Sequence, residues 1–194
     1  MNDFEIWFTS GLKHILDLQG YDHILFVALL SITFPVKEWK KLFMLVTAFT
    51  IGHSLTLALS VLNIIFIPQK CIECLIAFTI LITAISQLIP TKNTPKRVMY
   101  IYLIICIFGL IHGMGFSYAL KSLLGHNMSI VWPLFLFNVG LEAGQLIIVA
   151  IIILFSLFLV RFIKMPFTIM QKSFSIIILI FAIVIFTDRL INIF

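Results

Sequence analysis

Charged residues are scarce in this chain, in which 8 acidic and 13 basic side chains make up 11% of the 194 residues. A soluble globular domain carries roughly 25% charged residues, so the composition argues against that class. Hydrophobic residues account for 62% of the sequence. We therefore expect an integral membrane protein whose long apolar segments lie in lipid.

Neither the basic excess nor the cysteine content points to another class. The net charge is +5, but the basic residues fall in small groups between apolar runs and form no basic face or arm, so no nucleic-acid partner is expected. Cysteine is also scarce. Three cysteines, with Cys106 inside an apolar run, do not make the disulfide framework of a small secreted domain.

Several motifs that would indicate other functions are missing from the sequence. It has no GxxxxGK[ST] motif to bind ATP, and neither the GxSxG nor the HExxH motif of hydrolases. The first ten residues, MNDFEIWFTS, are acidic and lack a basic segment followed by an apolar one. We therefore expect no cleavable signal peptide, and we expect membrane integration to begin at the first hydrophobic helix.

The apolar segments predict an all-α polytopic membrane protein, a bundle of about six transmembrane helices in one domain, 1–194. A helix needs about 20 mainly apolar residues to cross the hydrocarbon core, and short links with turn residues separate the segments that qualify. These segments are 11–34, 40–62, 70–90, 98–122, 131–155 and 171–192.

Basic residues are distributed unequally between the two sets of links. The first, third and fifth links hold nine of them: Lys37, Lys40, Lys41, Lys92, Lys96, Arg97, Arg161, Lys164 and Lys172. The opposite side holds four: Lys13, Lys70, Lys121 and Arg189. Because cytoplasmic loops carry the excess of lysine and arginine, we expect the odd links in the cytoplasm and both termini on the outer side.

Four ionisable side chains lie at a similar depth in four different predicted helices. Counted from the outer end of each span, they lie roughly 14–18 Å deep: His23, His53, His112 and Glu142. Ionisable groups at that depth cost several kcal/mol unless they face a cavity or a partner. The sequence therefore predicts a polar site inside the bundle.

Helical periodicity predicts which faces line this site. In the fifth span Asn138, Glu142 and Gln145 share one sector, and Gly140 and Gly144 lie nearly opposite as a pair suited to close helix contact. In the second span a polar sector comprises Thr50, His53, Thr56 and Ser60. The fourth span surrounds His112 with three glycines that would let neighbouring backbones approach: Gly109, Gly113 and Gly115.

The first span does not present a single polar face. The segment GLKHILDLQGYDHILF puts His14 and Asp17 on one side of a helix and Asp22 and His23 on nearly the other. Either Gly20 marks a break in the helix, or only one of the two pairs reaches the site. We expect Asp22 and His23 to reach it, with three residues lining an outer vestibule: His14, Asp17 and Glu73.

The residue types favour a transition metal. Neutral imidazoles with one or two carboxylates suit Ni²⁺, Co²⁺, Zn²⁺ or Fe²⁺, whereas sites made of oxygen atoms alone suit Mg²⁺ or Ca²⁺. Asp22 could bind the ion beside His23 or orient another histidine. The predicted metal ligands are Asp22, His23, His53, His112 and Glu142, with Asn138 and Gln145 in support.

Interpretations without a metal also fit parts of this pattern. A single intramembrane histidine is often a hydrogen-bond partner between helices, and a proton relay could use the same residues. Three histidines and a glutamate at one depth favour the metal site. Cys71 and Cys74 are interpreted as small apolar residues of a helix, and Asp188 and Arg189 as interfacial anchors of the last helix.

Four segments, taken in order, resemble the HupE/UreJ family of bacterial integral membrane proteins: HILDLQGYDHILF, FTIGHSLTLALS, FGLIHGMGF and FNVGLEAGQL. The resemblance covers essentially the whole chain, most clearly residues 12–150. Members are associated with hydrogenase or urease gene clusters and are regarded as nickel or cobalt permeases. The resemblance implies that the functional positions are Asp22, His23, His53, His112 and Glu142.

The leading hypothesis is secondary transport of a divalent transition metal across the bacterial inner membrane. Nickel is the favoured substrate, and cobalt, zinc and iron are alternatives. The lipid bilayer is the other expected partner, and a homo-oligomer is left open. Two other functions are kept beside transport, namely a metal-dependent intramembrane enzyme and a membrane accessory or assembly factor for a metalloenzyme.

Overall fold

The computed structural model describes residues 3–89, 95–124 and 130–193. These residues form eight α-helices and two short 3-10 turns, Leu18–Gly20 and Val36–Glu38, and they contain no β-strand. The all-α prediction is thus confirmed. The α-helices are α1 (Asp3–Leu16), α2 (Tyr21–Ser31), α3 (Trp39–Val61), α4 (Gln69–Leu88), α5 (Pro95–Gly115), α6 (Ser117–Leu124), α7 (Val131–Arg161) and α8 (Phe167–Ile191).

Long apolar helices dominate the described part of the chain. Five segments there are long and apolar enough to span a membrane: Val36–Val61, Gln69–Leu88, Val98–Gly115, Val131–Arg161 and Phe167–Ile191. They correspond to the second to sixth predicted spans. The protein is therefore a multi-pass membrane protein.

The first predicted span, 11–34, is not one continuous helix. Helix α1 ends at Leu16, and α2 begins at Tyr21 after a 3-10 turn in which the Gly20 amide donates to the Asp17 carbonyl at 3.0 Å. Aspartate and glycine are weak helix formers, and the break at Gly20 is one of the two alternatives that the sequence raised. The two helices have 14 and 11 residues, so each is shorter than the about 20 that a crossing needs.

Two other helix ends differ from the predicted spans. The fourth span, predicted to run to 122, ends at Gly115, and the short helix α6 follows. Glycines at 113 and 115 weaken the helix there. Helix α7 runs past the predicted end at 155 to Arg161, since no residue that breaks helices interrupts its apolar sequence before Pro166.

Three helix pairs make the most extensive contacts within the described residues: α1 with α7, α3 with α5, and α4 with α8. Helix α2 contacts α3, α4, α7 and α8, so this short helix lies between the pairs. Along α8, Ile176, Ile180 and Val184 are about half exposed, as expected for a face toward lipid. Lys92 of the third predicted link lies outside the described residues.

Candidate metal-binding site

Glycines bring α3 and α5 into backbone contact. A β-carbon built on any of three glycines would overlap a carbonyl oxygen of the facing helix: Gly52, Gly109 and Gly113. The Thr56 hydroxyl also donates to the Leu110 carbonyl across this crossing at 2.6 Å. The close approach expected around His112 is confirmed for Gly109 and Gly113, and it places the backbone of His53 beside that of α5.

A second glycine crossing joins α1 to α7. A β-carbon on Gly140 would overlap the carbonyl oxygen of Phe8, and one on Gly144 would overlap the side chain of Ile15. A β-carbon on Gly11 of α1 would likewise overlap the carbonyl oxygen of Phe137 in α7. The prediction that Gly140 and Gly144 permit close helix contact is confirmed, and the crossing fixes α1, which carries His14.

Three histidines from three helices meet inside the bundle. His14 of α1, His23 of α2 and His53 of α3 each offer one ring nitrogen, and these three atoms lie within 4.8 Å of one another. The ring centroid of His14 lies 4.7 Å from that of His23 and 6.1 Å from that of His53. We call these residues the histidine cluster. His14, expected in an outer vestibule, belongs to this cluster.

Five of the six ring nitrogens of the histidine cluster are buried and lack hydrogen-bond partners within the described residues. His53 is fully buried and His23 is 8% exposed. Within the described residues, both ring nitrogens of His23 and of His53, and Nε2 of His14, are buried without a hydrogen-bond partner. Each unsatisfied buried polar atom costs about 1–3 kcal/mol. Five such atoms would cost about as much as the whole stability of an ordinary domain, so the cluster is suited to a ligand.

His112 adjoins the cluster on the side of His23. The centroids of these two rings are 5.4 Å apart. Nδ1 of His112 lies 2.8 Å from the Phe108 carbonyl oxygen, which can only accept, so Nδ1 carries the proton and Nε2 has a free lone pair. Nε2 is buried and has no partner among the described residues. A metal-binding histidine typically donates its other ring N–H to a carbonyl in this way.

Aromatic rings form the walls around these histidines. Phe116 and Phe137 stack on each other with centroids 4.9 Å apart, and they lie 4.0 and 5.7 Å from the His14 ring. On the other side Phe26 and Phe49 each lie 5.1 Å from the His112 ring. Apolar walls limit water and lower the local dielectric constant, so an ion bound here would depend on the imidazoles in place of its water ligands.

A second polar region lies between α3 and α7. The Thr47 hydroxyl donates to Oε1 of Glu142 at 2.8 Å, and the Thr50 hydroxyl donates to Oε1 of Gln145 at 2.9 Å. Gln145 is fully buried, and its Nε2 has no partner among the described residues. Glu142 is half-buried and lies outside the histidine cluster as the described residues form it. The polar face predicted for α7 thus faces α3.

Asn138 lies one turn before Glu142 on α7. Its Nδ2 donates to the Leu134 carbonyl at 2.8 Å, and its buried Oδ1 has no hydrogen-bond partner in the described part of the chain. The amide oxygen is therefore available to a ligand. Asn138, Glu142 and Gln145 are brought together on one helix face but not into the group of three imidazoles.

The remaining predicted acidic residues lie in three different environments. Asp22, in the first turn of α2, is buried, and its Oδ2 accepts from Nη2 of Arg189 at 2.8 Å. Glu73 is half-buried and accepts from Gln69 at 2.9 Å. Asp17 is exposed at the end of α1. The structure therefore places Asp22 beside the cluster and the other two nearer the surface.

Arg189 has a partner that sequence reasoning missed. This residue, predicted as an interfacial anchor at the end of α8, pairs with Asp22 and has an exposed side-chain fraction of 17%. The signal for this pairing was present, since an arginine in an apolar helix needs an acidic partner. The sequence did not identify that partner, because 167 residues separate the two positions.

Comparison with known proteins identifies the family. No curated protein and no solved structure matches this chain significantly. The family model described as HupE/UreJ protein matches residues 1–189, which include every residue of the site described above. The chain belongs to the HupE/UreJ family.

Proposed function

We propose that this protein is a secondary permease for a divalent transition-metal ion, with Ni²⁺ as the first candidate substrate. The observation that carries this proposal is the meeting of three imidazoles, those of His14, His23 and His53, each with a buried nitrogen that has no partner among the described residues. A zinc–nitrogen bond is about 2.0–2.1 Å long, so two nitrogens bound to one tetrahedral ion lie about 3.4 Å apart. The longest nitrogen–nitrogen distance in the cluster therefore needs to shorten by up to about 1.4 Å to bind such an ion.

The chemistry of the cluster supports transport of a borderline metal. Imidazole suits nickel, cobalt, zinc and iron better than it suits magnesium or calcium. Family membership favours nickel or cobalt among them. The three neutral imidazoles do not cancel the charge of a divalent ion, which keeps binding weak enough for release, as conduction requires. His112 becomes a further imidazole ligand when the ion moves toward α5.

The carboxylates attract or bind the ion before and after it occupies the histidine cluster. Asp22 precedes His23 in the chain and supplies negative charge beside the imidazoles, whereas Asp17 and Glu73 attract the hydrated cation near the surface. Glu142, with Asn138, offers oxygen ligands between α3 and α7. Because these groups lie apart, the ion exchanges ligands stepwise and never contacts all of them at once.

Six crossings of the bacterial cytoplasmic membrane complete the proposal. Helices α1 and α2 together form the first crossing, and both termini lie on the outer side. The lysine and arginine distribution supports this orientation. The contacts of α2 with four other helices support the crossing, because a break in a helix at membrane depth is tolerated where protein surrounds it.

Nickel uptake into proteoliposomes tests the proposal. We expect the wild-type protein to take up Ni²⁺ and the His53→Ala variant to lose uptake while inserting normally. His126→Ala is the matched control, since this histidine lies in the link between the fourth and fifth predicted spans, outside the described residues. Cobalt, zinc and iron serve as competitors and rank the substrates.

Failure of uptake would favour one of the two other functions kept beside transport. If the wild-type protein transports none of the four metals, the permease proposal is wrong. Metal binding with substrate-dependent chemistry would then favour an intramembrane enzyme, and absence of binding would favour an assembly factor.

A further inference from the structure

An ion pair links the end of the last helix to the beginning of α2. Nη2 of Arg189 lies 2.8 Å from Oδ2 of Asp22, and Nη1 of Arg189 donates to the Glu73 carbonyl at 3.0 Å. The exposed fractions of the two side chains are 17% for Arg189 and 11% for Asp22. Two helices therefore hold the guanidinium in one position beside the histidine cluster.

This contact gives a partner to only one of the two carboxylate oxygens of Asp22. Its Oδ1 is buried and has no hydrogen-bond partner among the described residues. The next residue, His23, contributes a nitrogen to the histidine cluster. One carboxylate thus pairs with a fixed cation and belongs to the residue that precedes a proposed metal ligand.

We propose that Arg189 is a tethered counter-cation that competes with the transported metal for Asp22. This inference rests on the proposed function. In the protein without metal, Arg189 neutralises the buried carboxylate, which would otherwise be an uncompensated charge. When the metal binds, the Asp22 carboxylate leaves the guanidinium and contacts either the ion or a histidine that binds the ion.

The competition weakens metal binding to the same extent at every physiological pH. A guanidinium stays protonated at every physiological pH, so Arg189 opposes the ion under all conditions in which the protein works. Weakened binding favours release, and a permease requires release as much as capture. Arg189 is therefore a positioning residue, since it acts on the ion through Asp22.

Measurement of Ni²⁺ affinity in the purified full-length protein tests this competition. The variants are Arg189→Gln, the charge-retaining Arg189→Lys and the adjacent control Asp188→Asn. Thermal unfolding in the same detergent monitors folding. We expect Arg189→Gln to bind Ni²⁺ about fivefold or more tightly than the wild type, within the usual range of coupling between two sites. Arg189→Lys, which keeps the charge but not both guanidinium contacts, should gain less affinity than Arg189→Gln, and Asp188→Asn should bind as the wild type does.

A double-mutant cycle shows whether the effect passes through Asp22. In the Asp22→Asn background, Arg189→Gln should no longer change the affinity. An unchanged or weaker affinity of Arg189→Gln would overturn the inference, as would a gain that persists without Asp22. Absence of binding by the wild type would overturn the proposed function itself, which is a distinct result.

A measurement on the wild-type protein does not depend on the folding of a variant. Phenylglyoxal modifies accessible arginines, and mass spectrometry quantifies the modification at each site. We expect Ni²⁺ to increase modification of Arg189, because the ion displaces it from Asp22, and to leave the exposed Arg161 unchanged. Equal or lower modification of Arg189 with Ni²⁺ would overturn the inference.

Discussion

Gly113 of α5 lies against the backbone carbonyl of His53 in α3, so closely that a β-carbon on the glycine would overlap the oxygen. The same β-carbon would overlap the hydroxyl of Thr56. The position of a proposed metal ligand thus depends on a residue without a side chain.

Gly113→Ala should separate α3 from α5 and displace His53. Overpacking in a closely packed interior costs about 1–3 kcal/mol, and here the obstacle is backbone, which cannot rotate away. We expect a lower unfolding temperature in detergent and weaker Ni²⁺ binding. Gly115→Ala is the matched control, since its β-carbon would meet a terminal carbon of Ile76 at 3.3 Å. Equal effects of the two substitutions would contradict this account.

His112→Ala should reduce metal binding less than His53→Ala does. His112 adjoins the cluster but is not one of the three residues whose nitrogens meet within 4.8 Å. Loss of a supporting residue costs roughly 10–100-fold in metal affinity, whereas loss of His53 should abolish binding. We expect uptake to be lost in both variants. Titration of Ni²⁺ against each purified variant measures the difference, and unchanged uptake in both would refute the site.

Acidification should weaken Ni²⁺ binding. A metal binds the neutral imidazole, so protons compete with the ion once the pH is low enough to protonate the histidine cluster. We expect affinity to be retained at pH 7.5 and to fall over the acidic range in which the cluster protonates. Isothermal titration at several pH values measures this dependence. A constant affinity over the range would argue against histidine ligation.

Thr50→Val should destabilise the protein more than Thr47→Val. The Thr50 hydroxyl is a partner of Gln145, which is fully buried, whereas Thr47 bonds the half-buried Glu142. An acceptor left unsatisfied in the interior costs about 1–3 kcal/mol, and water can replace the bond to Glu142 more easily. Unfolding in denaturing detergent compares the two. The reverse order would mean that Glu142 is the more tightly enclosed group.

The proposed topology predicts that a reporter fused to the C-terminus lies outside the cytoplasm. Alkaline phosphatase, which folds only in an oxidising compartment, should be active there, and the same enzyme inserted after Lys164 should be inactive. The physical reason is the excess of basic residues in the odd links. An inactive C-terminal fusion would mean an odd number of crossings or an inverted orientation.

The local sequence predicted several features of the site because one helix determines them. Gly140 and Gly144 share a face at a spacing of four residues, and the structure uses both for the contact with α1. The break at Gly20 was one of two alternatives, since the polar residues around it do not share a face. Helical periodicity could not choose between them, because it describes a regular helix and fails where the helix stops.

The sequence by itself determined that this is a helical membrane protein with histidines and carboxylates inside its apolar segments, because composition and periodicity are properties of single segments. Only the tertiary structure decided that His14 joins His23 and His53, and that Arg189 pairs with Asp22. Those contacts join helices that are distant in the chain. Their geometry depends on how glycine faces let backbones approach, and no single helix contains that information.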